Sequence, residues 1–371
     1  MTEALKALTD AGVSIWLDDL SRERLTSGSL QELITTHRVS GVTTNPTISA
    51  NAITQSAGAY SAQLHQAAAR QLTADEAIRE LTTYDVRWAC DILRPIHDQT
   101  AGRDGWVSIE VDARYAHNTE ATIGEATALH WLVDRDNVFI KVPATDEGMP
   151  AVTALIADGI SVNITLIFSV ARYENVMTAW LAGLELARQR GHELSRIHSV
   201  ASFFISRVDA AANAQLDQAN PRKAAGLKNT LGIANAQLAW AAYRRMRASD
   251  RWSSLTDAGA IPQRPLWAST GVKDPALPAD FYVTGLTGPG VVNTMPEATL
   301  HAAAANTRNT PANTLDGSEH QAAEILQRFH SAGIGVNAIL ARLETDGIDK
   351  FTHASGNLRS SINKQLHPDA P

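Results

Sequence analysis

Val138-Phe139-Ile140-Lys141-Val142-Pro143-Ala144 is a short apolar, β-branched run with one lysine at its centre. Such a run, stopped by a proline, reads as a buried strand of a parallel sheet. Lysine seldom occupies such a place, because removing an ammonium from water is costly. Burial depresses the pKa of an amine, and a neutral amine is the form that attacks a ketone to make a Schiff base. The plainer explanation is an ion-paired strand lysine. The strand alone leaves both open, and its neighbours weigh between them.

Immediately upstream, Gly105 to Ala113 alternates cleanly, with Val107, Ile109 and Val111 on one face and Ser108, Glu110 and Asp112 on the other. Downstream, Ile160 to Phe168 puts Val162, Ile164 and Leu166 on one side and Ser161, Asn163 and Thr165 on the other. Near the start, Val13 to Asp19 pairs Ile15 and Leu17 against Ser14, Trp16 and Asp18, and a second strand ends in Gly41-Val42-Thr43-Thr44-Asn45-Pro46. Pro46 cannot continue a central ladder, so Asn45 falls at the strand end. Further strands are expected at His198 to Ile205, Pro265 to Thr270 and Phe281 to Leu286.

Helical patterns fill the intervals, among them Thr2 to Thr9, Leu30 to His37, Ala52 to Gln99, Thr119 to Asp134, Glu147 to Asp158, Val170 to Gly191 and Ser206 to Arg247. Eight strands interspersed with helices predict an α/β fold, a single (β/α)8 TIM barrel with extra N- and C-terminal helices. The barrel strands are expected over about residues 13–286 and C-terminal helices over about 291–366, including Glu319 to Ser331 and Val336 to Asp346. Gly271 to Asp280 leaves little room for a helix between the last two strands. An open doubly wound sheet is the rival fold, but no Gly-rich phosphate fingerprint follows an early strand.

The 371 residues carry a formal net charge of -7, which disfavours a general nucleic-acid surface and leaves room for a local basic site. Cys90 is the one cysteine, so no internal disulfide can form, in keeping with a reducing compartment. Met1 to Leu20 lacks the pattern of a secretory signal. The apolar stretch Ala151 to Val170 is interrupted by Asp158, Gly159, Ser161 and Asn163 and does not suit a membrane span. These features predict a cytoplasmic protein that engages neither membrane nor nucleic acid; monomer and homodimer both stay open. The 12 histidines form no metal-binding spacing, and His198, opening a strand, reads as structural.

In a parallel barrel the outward faces meet helices and are apolar, which turns Asp18, Glu110, Lys141, Asn163 and Thr165 inward. A packed barrel interior favours Val, Ile and Leu. A cation, carboxylates, an amide and hydroxyls on at least four strands instead suggest a ligand or water-filled site. Lys141 with Glu110 and Asp18 has the parts for imine chemistry: an amine to attack a carbonyl, a proton shuttle for loss of water, and a base that drives C–C cleavage. A buried ion-pair cluster is the alternative. Trp16, on the same face as Asp18, is expected beside the pocket.

Four stretches in this order resemble transaldolases: Gly41-Val42-Thr43-Thr44-Asn45-Pro46, Val107-Ser108-Ile109-Glu110-Val111-Asp112, Ile140-Lys141-Val142-Pro143-Ala144-Thr145 and Val162-Asn163-Ile164-Thr165-Leu166-Ile167-Phe168-Ser169. The resemblance runs from about Trp16 to about Pro296. It implies a class I aldolase-type barrel with its lysine on the fourth strand, and no metal or organic cofactor. It also implies transfer of a dihydroxyacetone unit between phosphorylated sugars, from sedoheptulose 7-phosphate to glyceraldehyde 3-phosphate, giving erythrose 4-phosphate and fructose 6-phosphate. By this resemblance Lys141 is the Schiff-base lysine and Asp18 the acid/base at the C4 hydroxyl. Glu110 and Thr165 hold the catalytic water, and Asn45 and Asn163 hold substrate hydroxyls. Strand alternation separately prefers Asp18 to Asp19, whereas Asn45 by itself reads as a cap.

His198 to Asp209 matches the sixth-strand motif, which implies Ser202 at the C1 hydroxyl and Arg207 at phosphate. A guanidinium at a strand-to-helix junction suits a phosphate. Leu266 to Lys273 matches the seventh-strand motif with a departure: Gly271 stands where many members have an arginine. Ser269 is a candidate phosphate ligand, and Lys273 either joins it or is a solvated loop lysine. Three other readings share much of this evidence. They are a Schiff-base aldolase that releases its aldehyde, a phosphosugar isomerase in which Lys141 is only electrostatic, and an inactive barrel that binds ligand.

Overall fold

The computed structural model describes residues 2–308 and 312–367. Eight strands, β1 (Ser14–Leu17), β2 (Gly41–Val42), β3 (Trp106–Glu110), β4 (Val138–Pro143), β5 (Val162–Ile167), β6 (Ser199–Phe204), β7 (Arg264–Ala268) and β8 (Val292–Met295), close a barrel in sequence order. Every neighbouring pair is parallel, including β1 with β8. This is the expected (β/α)8 barrel. Register aligns Glu110 with Lys141 and Lys141 with Asn163, which brings the polar residues of three strands to one level.

The alternation read from sequence has a physical counterpart in two cores. Val107, Ile109, Ile140, Val142, Val162 and Ile164 belong to the outer core beneath the helices. Trp16, Trp106, Phe139, Val200, Leu266 and Val292 form an inner floor. Trp106 stacks on Phe139 with ring centroids 4.1 Å apart. The floor's indoles are satisfied: that of Trp16 donates to Asp104 Oδ1 at 3.0 Å, and that of Trp106 to the Gly102 carbonyl at 2.7 Å. A side chain at Gly41 would strike the Trp16 ring, so β2 needs glycine there.

Three expectations require correction. The eighth strand is Val292–Met295; Phe281–Thr284 is instead one helical turn. Tyr282 is buried there and its hydroxyl donates to Asp209 Oδ2 at 2.8 Å, so tertiary anchoring overrides the strand propensity of Phe-Tyr-Val-Thr. The connection from β7 to β8 therefore runs to residue 291, which removes the difficulty of a short link. Second, alternation fails at Leu166. Its φ is 60°, the ladder to β6 shifts register between Ile164 and Ile167, and Leu166 joins Phe168 and Phe204 in the inner cluster. Third, Trp16 is fully buried in the floor and does not line the site cavity.

The last helix runs from Val336 to Leu366, twenty residues past the Asp346 boundary expected from sequence. At 1.5 Å per residue it is about 46 Å long. Ile339, Leu340, Ile348 and Phe351 pack into the inner cluster, while Leu358, Ile362 and Leu366 pack with Ile53, Tyr60 and Leu64. It therefore crosses the carboxyl end of the barrel, from the β5–β6 side to the helices that follow β2. Glu297–Ala304 and Glu319–Ser331 are also helical, as expected; the parts of that expectation at 309–311 lie outside the described residues. Among the described residues no helix is long and apolar enough to cross a membrane.

Candidate active site

The carboxyl ends of the strands open on a cavity of about 430 Å³, within the range of small-molecule sites. Lys141 rises from β4 into it, along with Asp18, Asn45 and Ser202. Arg207, Ser269 and Lys273 line it toward its rim. Glu110, Asn163 and Thr165 are not on its wall; they stand directly behind it, buried. The structure thus gathers all ten residues singled out in the sequence around one centre, in two layers.

Lys141 is 4% exposed, with its Nζ 3.0 Å from Glu110 Oε2 and donating to the Thr44 carbonyl at 3.0 Å. Glu110 Oε1 has no hydrogen-bond partner among the described residues, nor has Thr165 Oγ1, while Oε2 has the Lys141 ammonium beside it. Burial pushes the Glu110 carboxyl above its usual range; the Lys141 ammonium offsets this in part. Burial likewise raises Asp18, opposed by Lys141 and by the hydrogen bond from Thr43. Thr43 Oγ1 donates to Asp18 Oδ1 at 2.7 Å. Asp19 lies outside this group and accepts from Arg24 Nε at 3.0 Å, which accords with the alternation that selected Asp18.

Asn163 is fully engaged: its Nδ2 donates to Ser108 Oγ at 3.0 Å and its Oδ1 accepts from Ser202 Oγ at 2.7 Å. Asn45 caps the helix Pro46–Gln55, accepting from the Ile48 amide at 3.0 Å, and still borders the cavity. Its plainer sequence reading and its site position therefore coexist. Ser269 ends β7 with φ 55°, a left-handed conformation uncommon outside glycine. Its hydroxyl lies 3.0 Å from that of Ser206, at the start of the helix Ser206–Leu216. Arg207, the next residue, has its guanidinium 5.1 Å from the Phe204 ring centre and 6.0 Å from that of Phe351.

Sequence reasoning missed several residues here. Thr294, paired to Thr43 through hydroxyls 2.6 Å apart, was hidden by misplacement of β8. Leu343, Asp346, Gly347, Lys350 and Phe351 arrive from the last helix. Periodicity marks Phe351 as apolar but cannot say which surface the helix covers. Among the described residues no group of three or more His, Cys, Asp or Glu could hold a metal ion.

Similarity to known proteins bears on this geometry. Residues 15–362 match the family described as Transaldolase/Fructose-6-phosphate aldolase. The chain is 52% identical over 366 residues to a protein of Thermobifida fusca named transaldolase, covering 99% of each. It is 53% identical over 371 residues to transaldolase 2 of Streptomyces avermitilis, covering 100% of this chain and 99% of that one. It is 50% identical over 366 residues to the transaldolase of Acidothermus cellulolyticus, covering 99% of this chain and 98% of that one. With its lysine-centred barrel and these full-length matches, the chain belongs to the transaldolase/fructose-6-phosphate aldolase family.

Proposed function

We propose that this chain is a transaldolase of the non-oxidative pentose phosphate pathway. It moves a dihydroxyacetone unit from sedoheptulose 7-phosphate to glyceraldehyde 3-phosphate, leaving erythrose 4-phosphate and forming fructose 6-phosphate. The observation that carries this reading is Lys141, buried on β4 with Nζ 3.0 Å from Glu110 and at the base of a sugar-sized cavity. The relatives above, at about half identity across nearly the whole chain, carry the name transaldolase.

The Lys141 amine attacks the ketose C2 carbonyl, and the carbinolamine loses water to give a protonated imine. Glu110 and Thr165 hold the water and move its proton. Glu110 Oε1 and Thr165 Oγ1, without a hydrogen-bond partner among the described residues, support this, since buried polar atoms call for a donor or a water. The raised Glu110 pKa favours a carboxyl that can give a proton as well as take one. Asp18 then takes the C4 hydroxyl proton. The C3–C4 bond breaks, its electron pair flows into the imine, and an aldose leaves. The enamine attacks the acceptor aldehyde, Asp18 returns the proton to the new hydroxyl, and hydrolysis frees Lys141.

Asn45 and Ser202 hold hydroxyls of the bound three-carbon unit. Asn163 orients Ser202 and exchanges its bond to Ser108 for a substrate hydroxyl. Arg207 and Ser269 bind the phosphate, with Lys273 near them. The reading includes no metal or organic cofactor, and it places the protein in the cytoplasm; the buried, unbridged Cys90 is in keeping with that.

Borohydride reduction in the presence of fructose 6-phosphate tests the proposal, with mass spectrometry of the peptide containing Lys141. A dihydroxyacetone-sized adduct on Lys141 is expected, and erythrose 4-phosphate should discharge the unreduced intermediate. Absence of an adduct from folded protein that binds the sugar would discard Schiff-base chemistry. Discharge by water as fast as by the acceptor would make the enzyme a lyase.

A further inference from the structure

Gly271 leaves the seventh-strand motif without the second guanidinium expected of it, and the last helix brings a cation to the same rim. Gly347 is what lets the helix approach. A Cβ there would lie 3.0 Å from Leu166 Cδ2, so the backbone rests on the residue that the β5 irregularity turns inward. Seated in this way, the helix buries Phe351, whose ring centre is 5.9 Å from Lys141 Nζ and 6.0 Å from the Arg207 guanidinium. Lys350, beside it in sequence, lines the same cavity as Arg207 and Lys273.

We infer that Lys350, carried by the C-terminal helix, is a ligand of the substrate phosphate and, with Arg207 and Lys273, completes a three-cation anchor. The inference rests on the transaldolase reading and deepens it by assigning the phosphate end of the site to a helix outside the barrel. Three observations support it. Arg207, Lys273 and Lys350 converge on one cavity, yet none of them forms an ion pair among the described residues. Asp18 and Glu110 act on Arg207 from the Lys141 end of the site, but neither forms an ion pair with any of the three cations, and a dianion at the rim would turn the cations' mutual repulsion into attraction. The electrostatics of the unliganded site register this strain: the Lys350 pKa is lowered, first by the Arg207 charge, then by burial, then by Lys273. Asp346, one helical turn before Lys350 and also on the cavity wall, makes its ion pair with Arg342 at 3.4 Å and with none of the three cations.

Calorimetric titration of the full chain with inorganic phosphate tests the assignment directly. Lys350→Met should weaken phosphate binding about five- to tenfold, and Lys350→Arg should restore most of it. In turnover, Lys350→Met should raise KM for fructose 6-phosphate by a similar factor with kcat nearly constant, because phosphate anchoring is binding common to ground and transition states. The ratio of kcat/KM for fructose 6-phosphate to that for fructose should fall accordingly. Phosphate affinity equal to wild type in Lys350→Met would overturn the inference, since this residue is exposed and its replacement does not threaten the fold. The borohydride adduct on Lys141 is scored separately. Its failure would remove the transaldolase reading and leave the phosphate titration to decide Lys350.

Discussion

The floor and the mouth of the barrel are raised on the same strands, only a few residues apart, and their polar atoms meet opposite fates. At the floor, Trp16 and Trp106 each pass their indole proton to a protein acceptor, and Phe139 fills the space between them. At the mouth, Glu110 and Thr165 keep buried oxygens without partners, and Lys141 stands beside a carboxylate in a setting that raises the latter's pKa. Burying an unpartnered polar atom costs about 1–3 kcal/mol. Such atoms occur elsewhere among the described residues, at His130, Asn137 and Gln263 for example; at the mouth they coincide with a buried ion pair and a carboxyl of raised pKa, and that combination marks a candidate site.

The comparison breaks most sharply under exchange of effects between layers. Lys141→Ala should abolish turnover, by roughly 10³-fold or more, and eliminate the borohydride adduct while the thermal transition survives. Residual wild-type-like turnover would contradict the chemical assignment of the mouth. Asp18→Asn should cost about 10²–10⁴-fold in turnover yet still form an adduct; loss of the adduct instead would exchange the roles of Asp18 and Glu110. Trp106→Ala, at the floor, should cost about 3–5 kcal/mol of stability by denaturant titration. The fraction that remains folded should still trap substrate on Lys141. Arg207→Ala should raise KM for phosphorylated donors about tenfold or more and alter kcat less.

The subtlest effect concerns pH. In the proposed mechanism Asp18 acts as a base when ionised, and burial has raised its pKa, so activity should rise with pH along a limb above the ordinary carboxylate range. The Thr43 hydroxyl stabilises the ionised form. Thr43→Val removes that donor, so the limb should move to higher pH, as read from the kcat profile. A shift to lower pH would mean that the titrating group is not Asp18. The same raised pKa predicts the sign for stability: Asp18 contributes below its unfolded value, and this contribution is lost as pH rises through the folded value.

Much of this layering is legible in sequence because alternation and chemistry coincide on β3 and β4. Val107, Ile109, Ile140 and Val142 face outward, which leaves Glu110 and Lys141 no place but the interior. On β8 the two signals part. Asn293 and Thr294 are both buried, so Val292–Met295 shows neither clean alternation nor an apolar run, while Phe281–Thr284 has the composition of a strand and the conformation of a turn of helix. At Leu166 a single left-handed residue inverts the expected facing. Lys350 could not be read at all: a charged residue on a helix looks solvated until the surface beneath that helix is known. Local periodicity reports which side of an element is apolar, and only packing reports what lies under it.

The helix Val336–Leu366 also sets an order in time. All eight strands precede it, so during synthesis β1 can close against β8 before Gly347 has reached its seat on Leu166. The nascent chain would hold Lys141 in a finished barrel while the rim still lacks Lys350 and Phe351. On the roles proposed for Lys141 and Lys350, capacity to form an imine matures before selectivity for phosphorylated sugars, and a helix translated after all eight strands turns a reactive barrel into a discriminating one.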